Sequence, residues 1–246
     1  MTETSWGQTF AEGDFRVGHV LSRSFTILSR NFPQFIAVSA VATLPYLVFG
    51  ARSVGGSDLD AAPAQLVGPF VTLFVYLIAQ AAILHGAFQD MRGLPVRIGD
   101  SLRVGLARFL PLLGLMICMV IVIVVGFLLL IVPGCIAVSM LFVCVPACVV
   151  ERLGPFRSMG RSGALTKGHR WKISGLLLLL GIGSGIVSIV LTLALATVGF
   201  AGTSVGLWIW QALFAAYSAV VGVVAYHDLR VAKEGVDVER IAASFG

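Results

Sequence analysis

The sequence has little charge. Only 12% of its 246 residues are Asp, Glu, Lys or Arg, whereas 58% are apolar, and the mean hydropathy is +0.97. Soluble domains have about 25% charged and about 45 to 50% apolar residues. A water-soluble fold is therefore excluded, and so is a disordered chain, which lacks this much apolar surface. The composition predicts an integral membrane protein.

The sequence also lacks the residue spacings that metal sites and disulfide frameworks need. Its four cysteines, Cys118, Cys135, Cys144 and Cys148, all fall within apolar runs, with no CxxC pair and no nearby histidine. Zinc sites and disulfide-rich domains have other spacings. We therefore expect the cysteines to be small core side chains, and we predict no metal site and no cofactor.

Candidate catalytic groups are few. General acid–base or nucleophilic catalysis needs paired carboxylates, or a Ser or Cys with a His, within reach of one another. The chain offers only Glu151, His227 and Asp228, all near predicted helix ends. Because Glu151 precedes Arg152 and Asp228 is followed by Arg230, these acids are more simply interpreted as partners of basic residues at the membrane surface. We predict no catalytic residue and no enzymatic activity.

Two features of the apolar segments resemble functional motifs. The GIGSG run at residues 181–185 has neither the third glycine nor the preceding strand of a dinucleotide-binding loop, so Gly181 and Gly185 are interpreted as a small face against a neighbouring helix. His85 is the ionisable residue closest to membrane depth. Its place one turn before Gln89 favours an interfacial hydrogen bond over a proton relay.

Apolar runs bounded by charge predict six membrane-spanning helices, each near the roughly 20 residues that a bilayer requires. They pair into three hairpins. Val132-Pro133-Gly134 predicts a tight turn between the third and fourth spans, because proline ends a helix and glycine accepts positive φ. Pro45 and Pro146 are expected to bend the first and fourth spans. The predicted spans are residues 33–50, 69–89, 109–131, 134–150, 173–198 and 204–226.

The basic residues are distributed asymmetrically about these spans. Every Lys and Arg except Arg52 falls on the side opposite the three hairpin connections. Because cytoplasmic loops retain Lys and Arg, both termini are predicted to be cytoplasmic. Basic groups that flank membrane helices meet anionic head groups, at about 1 kcal/mol each. The net charge of +5 therefore does not predict nucleic-acid binding.

Each odd-numbered span is preceded by a predicted amphipathic interfacial helix, at residues 18–32, 98–109 and 158–171. The Arg23-Ser24 pair recurs as Arg161-Ser162, and each external connection is poor in Lys and Arg. Basic amphipathic inner loops also occur in unrelated polytopic proteins. The regular order nevertheless favours three units, each one interfacial helix and one transmembrane hairpin.

The predicted fold is an all-α, polytopic membrane helical bundle that forms a single transmembrane domain over residues 1–246. Residues 1–14 are predicted to be a polar N-terminal tail, and residues 229–246 a cytoplasmic C-terminal tail. The N-terminal tail has no apolar segment behind a basic one, so we do not expect a cleavable signal.

Several motifs in the central block carry a family resemblance. They are Pro133-Gly134, Pro146, Val149-Val150-Glu151-Arg152-Leu153-Gly154-Pro155, Arg161-Ser162, Leu165-Thr166-Lys167-Gly168 and Arg170-Trp171. With these motifs, the chain resembles the YciC-like bacterial membrane proteins and is similar to the membrane domain fused to some glycerophosphoryl diester phosphodiesterases. The segment Tyr226-His227-Asp228-Leu229-Arg230 resembles the C-terminal end of proteins in the same family.

The resemblance implies a multi-pass protein of the bacterial inner membrane with six transmembrane helices. It does not imply phosphodiesterase activity, which in the fused proteins resides in a separate soluble barrel. We therefore predict a scaffold, an accessory subunit or a lipid-organising protein. Its expected partners are anionic phospholipids, another membrane protein complex or a second copy of itself. The alternative is a channel or transporter for a small or lipid-like substrate, although the spans offer only neutral polar residues such as Ser39, Gln80 and Ser139.

Glu151 and Asp228 are predicted at the C-terminal ends of the fourth and sixth spans, where the helix dipole disfavours a negative charge by roughly 0.3 to 1 kcal/mol. Arg170 is the expected partner of Glu151 and Arg161 that of Asp228, because arginine offers planar, bidentate geometry. Trp171 would fix the depth of the preceding helix. The alternative is that each charge is simply solvated among head groups. The complete set predicted to face lipid or a partner is Arg23, Arg30, Arg103, Arg108, Glu151, Arg161, Lys167, Arg170, Trp171, Asp228 and Arg230.

The predicted topology can be tested by cysteine labelling in a chain without its native cysteines. With Ser57→Cys and Phe200→Cys, an impermeant maleimide applied from outside should label the protein, because both positions lie in external connections. Gly160→Cys should be labelled only after permeabilisation. Labelling of all three positions from the same side would contradict the six-span topology.

Overall fold

The computed structural model describes residues 15–55 and 58–234, and these residues are helical almost throughout, with no strand. The tail predicted at residues 1–14 and the last part of the tail predicted at residues 229–246 lie outside the described residues. The helices are α1 (Val17–Arg30), α2 (Phe32–Gly55), α3 (Asp58–Met91), α4 (Ile98–Ala107), α5 (Phe109–Leu129), α6 (Ile131–Leu141), α7 (Cys144–Val150), α8 (Pro155–Thr166), α9 (Arg170–Leu195) and α10 (Phe200–Glu234).

Five helical segments are long and apolar enough to cross a membrane. They are Gly68–Met91, Phe109–Leu129, Ile131–Val150, Arg170–Val198 and Phe200–Lys233. They correspond to the second through sixth predicted spans. In the region of the first predicted span the apolar helix over Phe32–Pro45 is shorter. The all-helical membrane class is therefore confirmed, while the sixth crossing stays a prediction.

The predicted turn at Val132-Pro133-Gly134 is wrong. Leu130 alone separates α5 from α6, with an extended backbone at φ −172° and ψ 160°. Pro133 fits inside the first turn of α6, because that turn needs no N–H partner from it. Gly134 is required by close packing instead: a Cβ there would lie 2.5 Å from the Phe127 ring.

The fourth predicted span is interrupted near Pro146, the residue that was expected to bend it. α6 ends at Leu141 and α7 begins at Cys144, so the break falls at Phe142 and Val143. Phe142 lies four residues before Pro146, the position whose carbonyl loses its hydrogen bond and meets the proline ring. The span is thus two short helices rather than one.

Several predicted boundaries differ from the structure because helices continue past the end of an apolar run. The connection predicted at residues 51–63 is shorter, since the backbone is helical through Gly55 and again from Asp58. The C-terminal tail begins later, because α10 runs to Glu234 without an intervening proline or glycine after Gly222. Between α9 and α10, a 3₁₀ turn is followed by Gly199 at φ +87°.

The core of the bundle surrounds α10. Its residues 219–226 are buried on every side, as expected for a helix with neighbours all round. α5 and α9 lie at the periphery instead, and α9 buries only Ile173 and Leu176. Their outward faces carry Leu, Ile and Val side chains, which in water would form a large unstable patch. This distribution suits a lipid environment.

The structure also corrects the predictions for the cysteines and for the face formed by Gly181 and Gly185. Cys144 and Cys148 are buried core side chains, but Cys135 is exposed on α6, because that face of the helix points away from the bundle. Around Gly181 and Gly185, no described atom lies within 4 Å of a Cβ built on them. The neighbouring helix predicted against this face is therefore not part of the described chain.

Polar side chains in the spans join helices. Ser39 donates to the Ala212 carbonyl at 2.6 Å and links α2 to α10. The Ser139 and Ser174 hydroxyls lie 2.6 Å apart and link α6 to α9. Away from water, hydroxyl groups need such partners.

The close packing of α4 on α3 gives a stability prediction. A Cβ on Gly105 would lie 2.5 Å from the Ile78 backbone carbonyl oxygen, whereas nothing lies within 4 Å of a Cβ on Gly99. Gly105→Ala should therefore destabilise the protein by about 1 to 3 kcal/mol through overpacking. Gly99→Ala, on the same helix, should be neutral or slightly stabilising. SDS-induced unfolding of the purified protein measures both, and equal effects would contradict the packing described.

Candidate functional site

Three carboxylates gather polar partners at one end of the bundle, where α3, α7 and α10 meet α1 and α8. They are Asp90 near the end of α3, Glu151 directly after α7, and Asp228 on α10. We call this region the carboxylate end. Each acid lies within 4 Å of a cationic side chain from a helix that precedes a span.

Glu151 connects three helices. Arg161 on α8 donates from Nε to both of its oxygens, at 2.8 and 3.1 Å. The Tyr226 hydroxyl on α10 donates to Oε1 at 2.5 Å. Glu151 and Arg161 are only 19% and 26% exposed, so water screens this pair less than an ordinary surface pair. α7, α8 and α10 are thereby held together.

The chain reversal before α8 makes this contact possible. Arg152 has φ +56°, the left-handed conformation that side chains other than glycine rarely adopt. Gly154 then caps α8, and Pro155 is its first residue, a position that suits the fixed φ of proline. The turn sends α8 back along α7, which brings Arg161 to Glu151.

Asp228 pairs with α1. The His19 Nδ1 atom lies 3.1 Å from Oδ2 and Arg23 Nη1 lies 3.4 Å from Oδ1, with His227 Nδ1 3.5 Å from the same oxygen. Arg161 was predicted as the partner of Asp228, but it pairs with Glu151. The dipole argument also fails for Asp228, because α10 continues past it and places the helix end elsewhere.

Asp90 belongs to the carboxylate end although it was not among the predicted site residues. Its Oδ1 accepts a hydrogen bond from the Asn31 amide at 2.8 Å, and Arg30 approaches Oδ2 at 3.9 Å. A sequence signal existed: Asp90-Met91-Arg92 repeats the order acid, apolar, arginine found at Asp228. Nearby, His85 Nε2 and the Gln89 amide lie 2.8 Å apart, which is the expected local hydrogen bond.

The other predicted site residues do not all join the carboxylate pairs. Arg103, Lys167, Trp171 and Arg230 are exposed, with Trp171 at 84%. Arg108 is half-buried directly before α5. Arg170 is half-buried as well, but Arg161 is the residue whose guanidinium holds Glu151. The expected pair of Glu151 with Arg170 is therefore replaced by the pair of Glu151 with Arg161.

The helices before the spans share one register. A buried serine lies eight residues before the first residue of the following span helix in each case: Ser24 before Phe32, Ser101 before Phe109, and Ser162 before Arg170. On α1 and α8 the buried positions coincide fully, at twelve, eight, five and four residues before the span. The residue preceding the serine is Arg23 on α1, Asp100 on α4 and Arg161 on α8.

Each of these helices also carries exposed apolar side chains beside its buried serine face. α4 buries Ser101 and Gly105 while it exposes Leu102 and Leu106, at 46% and 60%. On α8, Phe156 is 79% exposed. On α4 the leucines therefore point away from the core, whereas α1 and α8 expose a phenylalanine each, Phe25 and Phe156, and bury other apolar side chains such as Leu28 and Leu165.

Comparison with known proteins identifies one family. The family described as a domain of unknown function, DUF7847, matches residues 103–229. No curated protein and no solved structure matches the chain. The matched region includes Glu151, Arg161, Tyr226 and Asp228, and it leaves out α1.

The pairing at Glu151 predicts energetic coupling. In a double-mutant cycle, Glu151→Gln and Arg161→Gln should couple by about 0.5 to 3 kcal/mol, because the two groups are in contact and partly buried. Asp228→Asn with Arg161→Gln should be additive within about 0.5 kcal/mol, since these residues belong to different pairs. SDS unfolding of each single and double variant gives both values. The reverse ranking would show that Arg161 serves Asp228.

Proposed function

Because the chain belongs to the DUF7847 family, a domain of unknown function, we propose its role from its own geometry: a non-enzymatic, multi-pass membrane protein that organises anionic lipid. In this proposal α1, α4 and α8 lie at the cytoplasmic interface of the bacterial inner membrane and form a basic platform. Scaffold or accessory-subunit roles follow if the platform also recruits a partner.

One observation carries the proposal. α4 turns its serine and glycine inward and its leucines outward, beside the exposed Arg103. A helix at a water-exposed surface would do the opposite, because burial of leucine is favourable by about 1.5 to 3 kcal/mol. At a lipid interface the outward leucines enter the acyl region while arginine meets the head groups. α8 repeats this arrangement with Phe156 beside Arg157.

The carboxylate pairs support the proposal by setting the orientation of the platform. Arg23 on α1 is held by Asp228, and Arg161 on α8 is held by Glu151. A helix fixed at one face cannot rotate, so Phe25 on α1 and Phe156 on α8 stay exposed. The arginines that lie outside these pairs, such as Arg103 and Arg157, are then directed at lipid phosphates, to which guanidinium binds well.

The finer architecture belongs to the same proposal. Six spans form three hairpins, each preceded by one interfacial helix, and both termini are cytoplasmic. The common register of Ser24, Ser101 and Ser162 supports the threefold repeat, because unrelated inner loops have no reason to share it. The resemblance to YciC-like membrane proteins fits this arrangement and stays part of the proposal.

Native mass spectrometry in mild detergent tests the lipid role. The Arg103→Gln, Arg157→Gln double variant should bind phosphatidylglycerol about thirtyfold more weakly, since each basic residue near the surface contributes about 1 kcal/mol. Raising the salt concentration should weaken binding to the unaltered protein. Arg52→Gln is the matched control, because Arg52 is the one basic residue predicted on the opposite side.

Equal retention of anionic lipid by the double variant and the control would contradict the proposal. Saturable flux of a small solute into proteoliposomes would instead favour the alternative, a channel or transporter. The two outcomes are distinguishable, because flux does not depend on Arg103 or Arg157.

A further inference from the structure

Each of the three short helices α1, α4 and α8 packs on the hairpin of another predicted unit. α1 contacts α10 of the third hairpin, α4 contacts α3 of the first, and α8 contacts α7 of the second. On α1 and α8, the arginine directly before the buried serine pairs with the acid near the end of that hairpin. The two pairs are Arg23 with Asp228, at 3.4 Å, and Arg161 with Glu151, at 2.8 Å. These ion pairs hold α1 and α8 in place.

α4 has no equivalent ion pair. Asp100 occupies the position that an arginine has on α1 and α8. The acid near the end of the first hairpin, Asp90, lies ten residues before Asp100, which is the same spacing as from Glu151 to Arg161. Two carboxylates do not attract each other, and within residues 15–55 and 58–234 Asp100 forms no ion pair. The contact between α4 and α3 must therefore depend on packing.

That packing buries little apolar surface. The buried residues of α4 are Ser101 and Gly105, whereas α1 buries a valine, an isoleucine and a leucine. Burial of apolar side chains is the main favourable contribution to such a contact. The closest approach is in the second half of α4, where Gly105 lies against the backbone carbonyl of Ile78. The first turn of α4 is thus held less firmly than the second half.

The first turn of α4 also packs imperfectly on α2 and α3. A void beneath it, with room for about one water molecule, is lined by residues that include Gln34, Val96 and Ser101. Gln34 Oε1 and Ser101 Oγ are buried and have no hydrogen-bond partner in the described part of the chain. The corresponding serines, Ser24 and Ser162, each donate to a carbonyl at 2.6 Å. The docked first turn of α4 therefore has a cost that α1 and α8 avoid.

The segment before α4 allows this turn to move. Residues 92–97 connect α3 to α4 without helical structure, and Gly93 has φ +72°, a conformation that glycine adopts without strain. Segments with few buried apolar contacts open locally at a low free energy. Because Gly105 stays against α3, the favoured movement is a lift of the first turn about the second half of the helix.

We propose that α4 is the movable helix of the platform: its first turn lifts from α2 and α3 and pivots at Gly105, while α1 and α8 stay docked. Lifting gives water access to Gln34 and Ser101, which supplies the missing hydrogen bonds. It also changes the depth at which the exposed Leu102 lies in the surrounding membrane. The movement depends on contacts within the protein and not on bound lipid, so its failure and the failure of the lipid role are distinguishable.

Cysteine accessibility in nanodiscs, in a chain without its native cysteines, tests the movement. Ser101 and Ser162 are 3% and 0% exposed. Ser101→Cys should nevertheless react with a water-soluble maleimide at least about tenfold faster than Ser162→Cys, the matched control in the same register on α8. Adding Asp100→Arg places a guanidinium ten residues after Asp90 and should slow labelling at position 101 about tenfold. Asp100→Asn removes only the acid and should leave the rate unchanged.

Hydrogen exchange measured by mass spectrometry gives a second readout that needs no substitution. In the unaltered protein, the amides of residues 98–103 should exchange at least about tenfold faster than those of residues 156–165 on α8. Arg161→Gln should raise the exchange of α8 toward that of α4. Equal protection of the two helices, equal labelling at positions 101 and 162, or no effect of Asp100→Arg would overturn the proposal. A single buried water would then be the partner of the two oxygens.

Discussion

The orientation of α8 depends on one interaction, the carboxylate of Glu151 shared between Arg161 and Tyr226. It lies at the point where α7 ends and the chain reverses, and it fixes α8 against α10. A partly buried acid with one charged and one neutral donor is held in a single geometry, because removal of either donor leaves an acceptor short of partners. Asp228 does the same for α1 through His19 and Arg23.

These pairs fix which face of α1 and of α8 meets the core. A free amphipathic helix beside a membrane bundle could roll its leucines into the core or into lipid. The arginines of α1 and α8 remove that choice, because they lie next to the buried serine and must face the acids. On α4 the same orientation is imposed by packing, since Gly105 admits only a backbone-to-backbone contact with Ile78. Ion pairs on α1 and α8 and close packing on α4 thus each direct the buried serine of the helix toward the core.

The membrane class and five of the spans were predictable because apolar runs of about 20 residues have few other uses. Local rules were less reliable where packing overrode them. Pro133 and Gly134 were predicted to form a turn, but both lie in α6. The first turn of a helix tolerates proline, and the close contact with Phe127 requires glycine. Arg170 was predicted as the partner of Glu151 and Arg161 is the one observed, because the left-handed turn at Arg152 decides which arginine reaches the acid. The pairing of Asp90 with Asn31 depends on a contact between distant segments, which no local pattern reveals.

The central claim is that α4 and α8 lie at a lipid interface, with Leu102, Leu106 and Phe156 facing lipid. Spin labels placed singly at Leu102, Leu106 and Phe156 in nanodiscs test it most directly, through collision rates with oxygen, which partitions into lipid, and with a water-soluble nickel chelate. The account predicts that oxygen dominates at these three positions and that the chelate is favoured at Asp100, an exposed residue on the other side of α4 from Leu102 and Leu106. Strong chelate access at Leu102, Leu106 and Phe156 would show that these helices face water, and the account would be wrong.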